Sequence, residues 1–185
     1  MKKIIFLFSI IISNVIFAQS VKDLDMKNGF RHFKLGSTPN QIKNIVKTKS
    51  KYDQNLNVSV YTYIGNDIKT VFFVPVSDIN LTFFKNKLCS IQVIFGDIDK
   101  EFTIGQYQNI LSVLEETYGR IWHKPTNDTG SITNGAIWDG EKVRLELFRV
   151  NFSKKYFDPS EYDQNIGYIQ VYDKQMQKQR TLSEF

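Results

Sequence analysis

The sequence predicts an α+β fold in which two helices pack on antiparallel sheet, in the order helix, four strands, helix, three strands. Two nine-residue stretches, TPNQIKNIV from Thr38 and TIGQYQNIL from Thr103, share the pattern T-x-x-Q-x-x-N-I-(V/L). Each stretch predicts a capped helix start. Segments with alternating apolar and β-branched residues follow each copy, which is typical of strands. Short connections rich in Gly, Asn and Asp join these segments, as in antiparallel hairpins.

The first eighteen residues have the order of a secretory signal peptide. Lys2 and Lys3 precede an almost wholly apolar run at 4–17, and Ala18 stands before the polar Gln19. The run is shorter than the roughly 20 residues of a membrane-spanning helix. We therefore expect cleavage after Ala18, no transmembrane segment afterwards and a secreted or periplasmic protein, with an uncleaved anchor as the alternative. No Cys stands directly after the run, so we expect no lipid attachment at a cleaved N-terminus.

The chain after the leader predicts a single α+β domain at 19–173, with a polar C-terminal tail at 174–185. The two copies of the motif leave open a fusion of two repeats, at about 30–100 and 101–173. Loss of the two leader lysines lowers the formal net charge from +5 to +3, and the basic residues form no block before the tail. This charge pattern predicts no nucleic-acid partner.

The first copy of the motif predicts a short helix from Thr38 to about Lys49. Thr38 can serve as N-cap, Gln41 can close a capping box, and Pro39 suits the first helical position. The second copy predicts a helix that begins after Thr103, with apolar residues on one stripe, and ends at Gly119. The tail is expected to be helical or frayed.

The strands are predicted from alternation and from turn residues between them. The expected strands lie at 58–64, 68–76, 79–83, 88–95, 135–138, 143–150 and 168–172. Cys89, the single cysteine, shares a parity with Ile91, Val93 and Phe95. We therefore expect a buried structural thiol on the core face of its strand.

The segment LGSTPNQIKNIV, Leu35 to Val46, is similar to the L-G-M-T-x-x-E/Q-V helix start of the BamE family of small outer-membrane assembly proteins. The order of elements also resembles the related β-lactamase inhibitory protein, and LEETYGRIW, Leu114 to Trp122, resembles a helix end of such units. The resemblance implies a helix-plus-meander fold and a tendency to bind other proteins. BamE-family proteins carry a lipid-anchoring N-terminal Cys that this chain lacks, and no functional residue is carried over.

The sequence offers no complete catalytic or metal-binding pattern. Only His32 and His123 are present, in unrelated contexts, and both are expected to be structural or solvated. The carboxylates of 97–101 precede a helix, where the helix dipole stabilises negative charge, and they lack the glycine of a calcium loop. We therefore predict no catalytic residue, no metal site and no cofactor.

Aromatic residues are abundant, with 15 Phe and 9 Tyr. Tyr156, Phe157 and Tyr162 fall in a polar loop, where exposed rings would anchor a partner. Together with Trp138, at a strand end, they are the candidate binding residues. The sequence thus favours an exported, non-catalytic binding or adaptor protein whose partner is another envelope or extracellular protein. The alternative is a small secreted hydrolase that uses the loop carboxylates, with His123; those carboxylates are Asp158, Glu161 and Asp163.

Overall fold

A computed structural model describes residues 20–48, 57–97, 99–126, 131–151 and 164–183. In these ranges three α-helices form, namely α1 Ser20–Lys27, α2 Ile104–Tyr118 and α3 Lys174–Ser183. The strands there are β1 Gly29–Phe30, β2 Phe33–Lys34, β3 Ile45–Lys47, β4 Val58–Tyr63, β5 Thr70–Val71, β6 Val74–Pro75, β7 Asp78–Phe84, β8 Lys87–Phe95, β9 Ile132–Asp139, β10 Val143–Asn151 and β11 Asn165–Asp173.

The central feature is a seven-stranded antiparallel sheet with the order β3-β4-β7-β8-β11-β10-β9. The strands β3, β4, β7 and β8 form one half, and β9, β10 and β11 form the other. The two halves meet where β8 pairs with β11. Two further pairs, β1-β2 and β5-β6, are small separate hairpins. The α+β class predicted from the sequence is confirmed.

The main core lies on one face of this sheet, under α1 and α2. From α2 the buried side chains are Tyr107, Ile110, Leu114 and Tyr118, at the three- and four-residue spacing of one helical stripe. They join Leu24 of α1 and the inward-facing residues of the sheet in a single apolar cluster. Full burial of each large apolar side chain contributes about 1.5–3 kcal/mol, and this cluster holds most of the buried apolar residues that the structure describes.

The second predicted helix is confirmed together with its caps. The Thr103 N–H donates to Gln106 Oε1 at 2.9 Å, and the Gln106 N–H donates to Thr103 Oγ1 at 3.2 Å. At the other end Gly119 adopts φ +81°, and its N–H donates to the Glu115 carbonyl at 2.8 Å. All of these signals are local, so the sequence was sufficient to place this helix.

The first predicted helix, Thr38 to about Lys49, is wrong. The cap itself forms, because the Thr38 N–H donates to Gln41 Oε1 at 2.8 Å. Only a single 3-10 turn, Pro39–Gln41, follows it. Asn44 then adopts φ +57°, and the chain enters β3, which pairs with β4. The β-branched residues after Asn44 gain more from this pairing than from a helix.

The strand predicted at 68–76 is also wrong, since this segment folds back as the hairpin β5-β6. Its buried residues are Ile68, Val71 and Val74, which are three apart rather than two. The other predicted strands all form, within a few residues of the expected ends. The tail forms α3, where the Met176 N–H donates to Asp173 Oδ1 at 2.7 Å.

Cys89 is buried as predicted, but it does not share the face of Ile91. Thr82 pairs with Ser90 while Phe83 pairs with Leu88, so Cys89 is an extra residue in a β-bulge. Its thiol packs in a small cluster with Val58, Phe84 and Met176 of α3, on the side away from the main core. Burial raises the pKa of this thiol to about 11. Across the described ranges, no helix combines the length and hydropathy needed to cross a bilayer.

Candidate functional site

The structure removes one predicted binding residue from the surface. Trp138 is fully buried, and its Nε1 donates to the Gly119 carbonyl at 2.8 Å. This indole therefore belongs to the core and offers no contact area to a partner. The other candidates lie outside the described residues, as do the carboxylates of the hydrolase alternative; they are Tyr156, Phe157, Tyr162, Asp158, Glu161 and Asp163.

The remaining residues considered for chemistry have structural partners. The backbone of His123 forms an antiparallel bridge with Ile137, with N–H to carbonyl distances of 3.0 and 2.9 Å. Asp97 accepts the N–H groups of Asp99 and Lys100 at 2.8 and 2.9 Å. Within the described ranges, His, Cys, Asp and Glu side chains form no group of three that could hold a metal ion.

An unusual feature is the connection at 64–77, which joins β4 to β7 and carries the β5-β6 hairpin. At the tip of this hairpin Phe72 and Phe73 adopt φ +51° and +64°. Such left-handed values suit Asn and Gly in two-residue hairpin loops, and they are outliers for a bulky aromatic residue. The Phe73 side chain is 94% exposed, the most exposed of the large apolar residues that the structure describes.

The Phe72-Phe73 tip is held firmly from below. The Phe72 ring packs against the main core. Asn109 of α2 donates from Nδ2 to the Phe72 carbonyl at 2.7 Å. Asn109 is the Asn of the second T-x-x-Q-x-x-N-I copy, so this motif both starts α2 and fixes the tip. Phe73 is therefore presented to solvent from a rigid support.

The other end of the same connection borders a polar cleft of about 780 Å3, which we call the Asp67 cleft. Its lining residues are His32, Gln41, Ile42, Lys43, Asn44, Tyr63, Asn66 and Asp67. They come from the β1-β2 turn, from the segment between the 3-10 turn and β3, and from the end of β4 with the residues after it.

Three side chains of the cleft form a connected row. The Tyr63 hydroxyl donates to Asp67 Oδ1, and His32 Nδ1 lies 3.5 Å from Asp67 Oδ2. The hydrogen bond from Tyr63 holds the pKa of Asp67 below its usual value, and the same bond raises the pKa of Tyr63. The rings of Phe33 and His32 contact the Tyr63 ring edge-on, with 5.1 and 5.6 Å between ring centroids. The carboxylate of Asp67 is thus fixed in position although it is largely exposed.

Gly65 is what allows this row to form. A Cβ atom at position 65 would lie 2.0 Å from the Tyr63 hydroxyl oxygen. Any other residue would therefore push the Tyr63 ring away from Asp67. The Asn44 carbonyl in turn accepts the N–H of Ile64, the residue after Tyr63, at 2.8 Å.

A second polar group lies around Glu146 of β10, on the face of the sheet away from the main core. Tyr172 donates to Glu146 Oε1 at 3.0 Å, and Arg144 Nε lies 3.4 Å from the same oxygen. Burial raises the pKa of Glu146, although Tyr172 and Arg144 oppose the shift. Asp139 connects this group to α3 through Lys174, at 2.8 Å. The network joins α3 to the sheet, which is a structural role.

Comparison of the chain with family models, with curated proteins and with solved structures gave no match. The resemblance to the BamE family therefore stays a prediction, and functional argument rests on the sites themselves. Sequence reasoning missed both of them. The only sequence signal for the tip was a Phe-Phe pair inside a segment that alternated like a strand.

Proposed function

We propose that this chain is an exported, non-catalytic binding protein, and that it holds another envelope or extracellular protein through Phe73. Export rests on the leader at 1–18; cleavage after Ala18 would leave α1 whole, with Leu24 in the core. The observation that carries the proposal is the aromatic side chain of Phe73, 94% exposed on a backbone with φ +64°.

This arrangement is unfavourable for folding. A left-handed backbone costs a residue other than Gly or Asn about 1–2 kcal/mol. An exposed phenyl ring recovers none of that cost by burial. The hairpin Lys85-Asn86, with φ +47° and +62°, makes the same kind of turn with Asn at the second position. The second turn position is therefore occupied by a residue that tolerates this backbone, Asn86, in one hairpin and by one that does not, Phe73, in the other.

The departure suits binding. Aromatic residues dominate the energetics of protein interfaces because they bury a large area at a low entropic cost. The support from Phe72 and Asn109 fixes the backbone that carries Phe73 before a partner arrives, which lowers the cost of binding. Lys69 and Thr70 are exposed on the strand side that leads to the tip and would contribute to a polar rim. The partner should therefore offer an apolar pocket that accepts one phenyl ring.

A photo-crosslinking phenylalanine at position 73 tests this proposal in the exported protein, in cells of its own source. The matched control carries the same residue at position 86, the corresponding position of the other hairpin. We expect a specific protein adduct from position 73 that is absent from position 86. Phe73→Asn in residues 19–185 used as bait should then fail to retain that protein. Equal adducts at both positions, or full retention by Phe73→Asn, would exclude the tip as the binding site.

A further inference from the structure

We propose that the Asp67 cleft is a second binding site and that its ligand is a neutral, hydroxyl-rich molecule, a mono- or oligosaccharide. The formal charges of the cleft support a neutral ligand. Lys43 and Asp67 carry opposite charges, and both are exposed. An anionic ligand would face the carboxylate of Asp67, whereas a cationic one would face the ammonium of Lys43, and like charges in contact are costly. A molecule without net charge meets neither penalty.

The hydrogen-bonding groups favour hydroxyls in particular. A hydroxyl both donates and accepts, Asp67 only accepts, and Lys43 only donates. The carboxamides of Asn44 and Asn66 offer both capacities. Gln41 already accepts the Thr38 N–H through Oε1, at 2.8 Å, which leaves its NH2 group as a donor. Neighbouring hydroxyls on a sugar ring match such a mixed set, because each can satisfy a donor and an acceptor at once.

The carboxylate of Asp67 is prepared for this role. A hydrogen bond from Tyr63 holds one of its oxygens, His32 Nδ1 lies 3.5 Å from the other, and each oxygen has a further lone pair for a ligand. Gly65 provides the space that the Tyr63 hydroxyl occupies. Tyr63 belongs to the main core, whereas Asp67 is 59% exposed. A surface carboxylate held this firmly loses little entropy when a ligand arrives.

Size and apolar surface agree with the same class of ligand. A volume of about 780 Å3 falls within the range of small-molecule sites. Ile42 and the ring of Tyr63 add apolar lining to the polar groups. The C–H face of a sugar ring would pack on such a surface while its hydroxyls meet the polar side chains.

The test is titration of 15N-labelled residues 19–185 with neutral mono- and disaccharides, namely glucose, galactose, N-acetylglucosamine, maltose and cellobiose. We expect saturable shifts in the amide signals of 41–44 and 65–67. Asp67→Asn keeps the shape of the side chain and should weaken binding by about tenfold or more, the effect of losing a hydrogen bond to a charged acceptor. Asp99→Asn, an exposed carboxylate outside the cleft, should bind like the wild type.

Two further variants keep the result interpretable. Lys43→Gln changes an exposed residue, so the fold should remain intact while saccharide affinity falls. Phe73→Asn should leave saccharide affinity unchanged, because the tip and the Asp67 cleft are separate sites. The inference is overturned if no saccharide gives saturable shifts by about 10 mM, or if Asp67→Asn and Lys43→Gln bind as the wild type does. It is equally overturned if only glucuronate, inorganic phosphate or free amino acids shift the cleft signals.

Discussion

Replacing Phe73 with Asn should stabilise the protein while it removes the proposed anchor. Asn tolerates the left-handed backbone, so the substitution relieves most of the roughly 1–2 kcal/mol that Phe73 incurs at φ +64°. Almost no burial is lost, because Phe73 is 94% exposed. A fully buried Phe contributes about 1.5–3 kcal/mol, so the hidden few per cent represents only about 0.1–0.2 kcal/mol. The net gain in the free energy of unfolding is therefore about 0.5–1.5 kcal/mol.

Urea unfolding of residues 19–185, followed by tryptophan fluorescence, measures this change, and the m-value should stay constant. For a chain of this size the expected gain raises Tm by about 1–6 °C. Asn86→Phe is the reverse substitution in the hairpin with matching φ, and it should lower the free energy of unfolding by about 1 kcal/mol. A loss of more than about 1 kcal/mol in Phe73→Asn would refute the reasoning, since Phe73 would then be a folding residue.

Three other predictions concern residues that hold the fold. Asp25→Ala should lower the free energy of unfolding in urea by about 1.5–3 kcal/mol. The Asp25 carboxylate accepts three backbone N–H groups of the β9-β10 turn at 2.8–2.9 Å, and the substitution leaves the half-buried N–H of Val143 without its partner. Burial alone would raise the pKa of Asp25, but the three hydrogen bonds outweigh it and lower that pKa. The stabilisation that the Asp25 carboxylate provides should therefore be lost as the pH falls below about 3.8. Glu146 behaves oppositely. Burial raises the pKa of Glu146 above 4.5, so the stabilisation that this side chain provides is complete below that pH and is lost as the pH rises. Between acidic and neutral pH, the wild type should therefore lose stability relative to Glu146→Gln. Cys89, with its pKa raised to about 11, should react with a thiol reagent at pH 8 only after unfolding, and a fast native reaction would contradict its burial.

The two motif copies separate what local sequence determines from what it does not. Both form the Thr–Gln cap, because a cap needs only residues within one turn. After Gln106 the chain continues as a helix whose stripe faces the core. After Gln41 the chain can either continue as a helix or pair with the free edge of β4, and it pairs, with Ile45 opposite Tyr63. No window of sequence around Thr38 contains β4, so the helix predicted there could not be corrected locally.

The face of Cys89 was mispredicted for a related reason. Parity assigns a side chain to a face only while the strand is regular. The bulge opposite Thr82 and Phe83 adds one residue and turns Cys89 toward α3. The Asp67 cleft could not be predicted from the sequence, since its residues come from three segments that meet only in the folded chain.

The Phe72-Phe73 tip was hidden by its composition. Two aromatic residues followed by Val predict a strand, whereas the structure has a turn that Asn109 and the core hold in place. Elsewhere the local rules and the fold agree: Gly119 ends a helix, Asn86 occupies a left-handed turn, and Pro39 begins a 3-10 turn. Positions that depart from such local rules are candidates for a functional role. At Phe73 the departure costs stability and leaves an apolar ring exposed, and burial of that ring against the proposed partner would offset this cost.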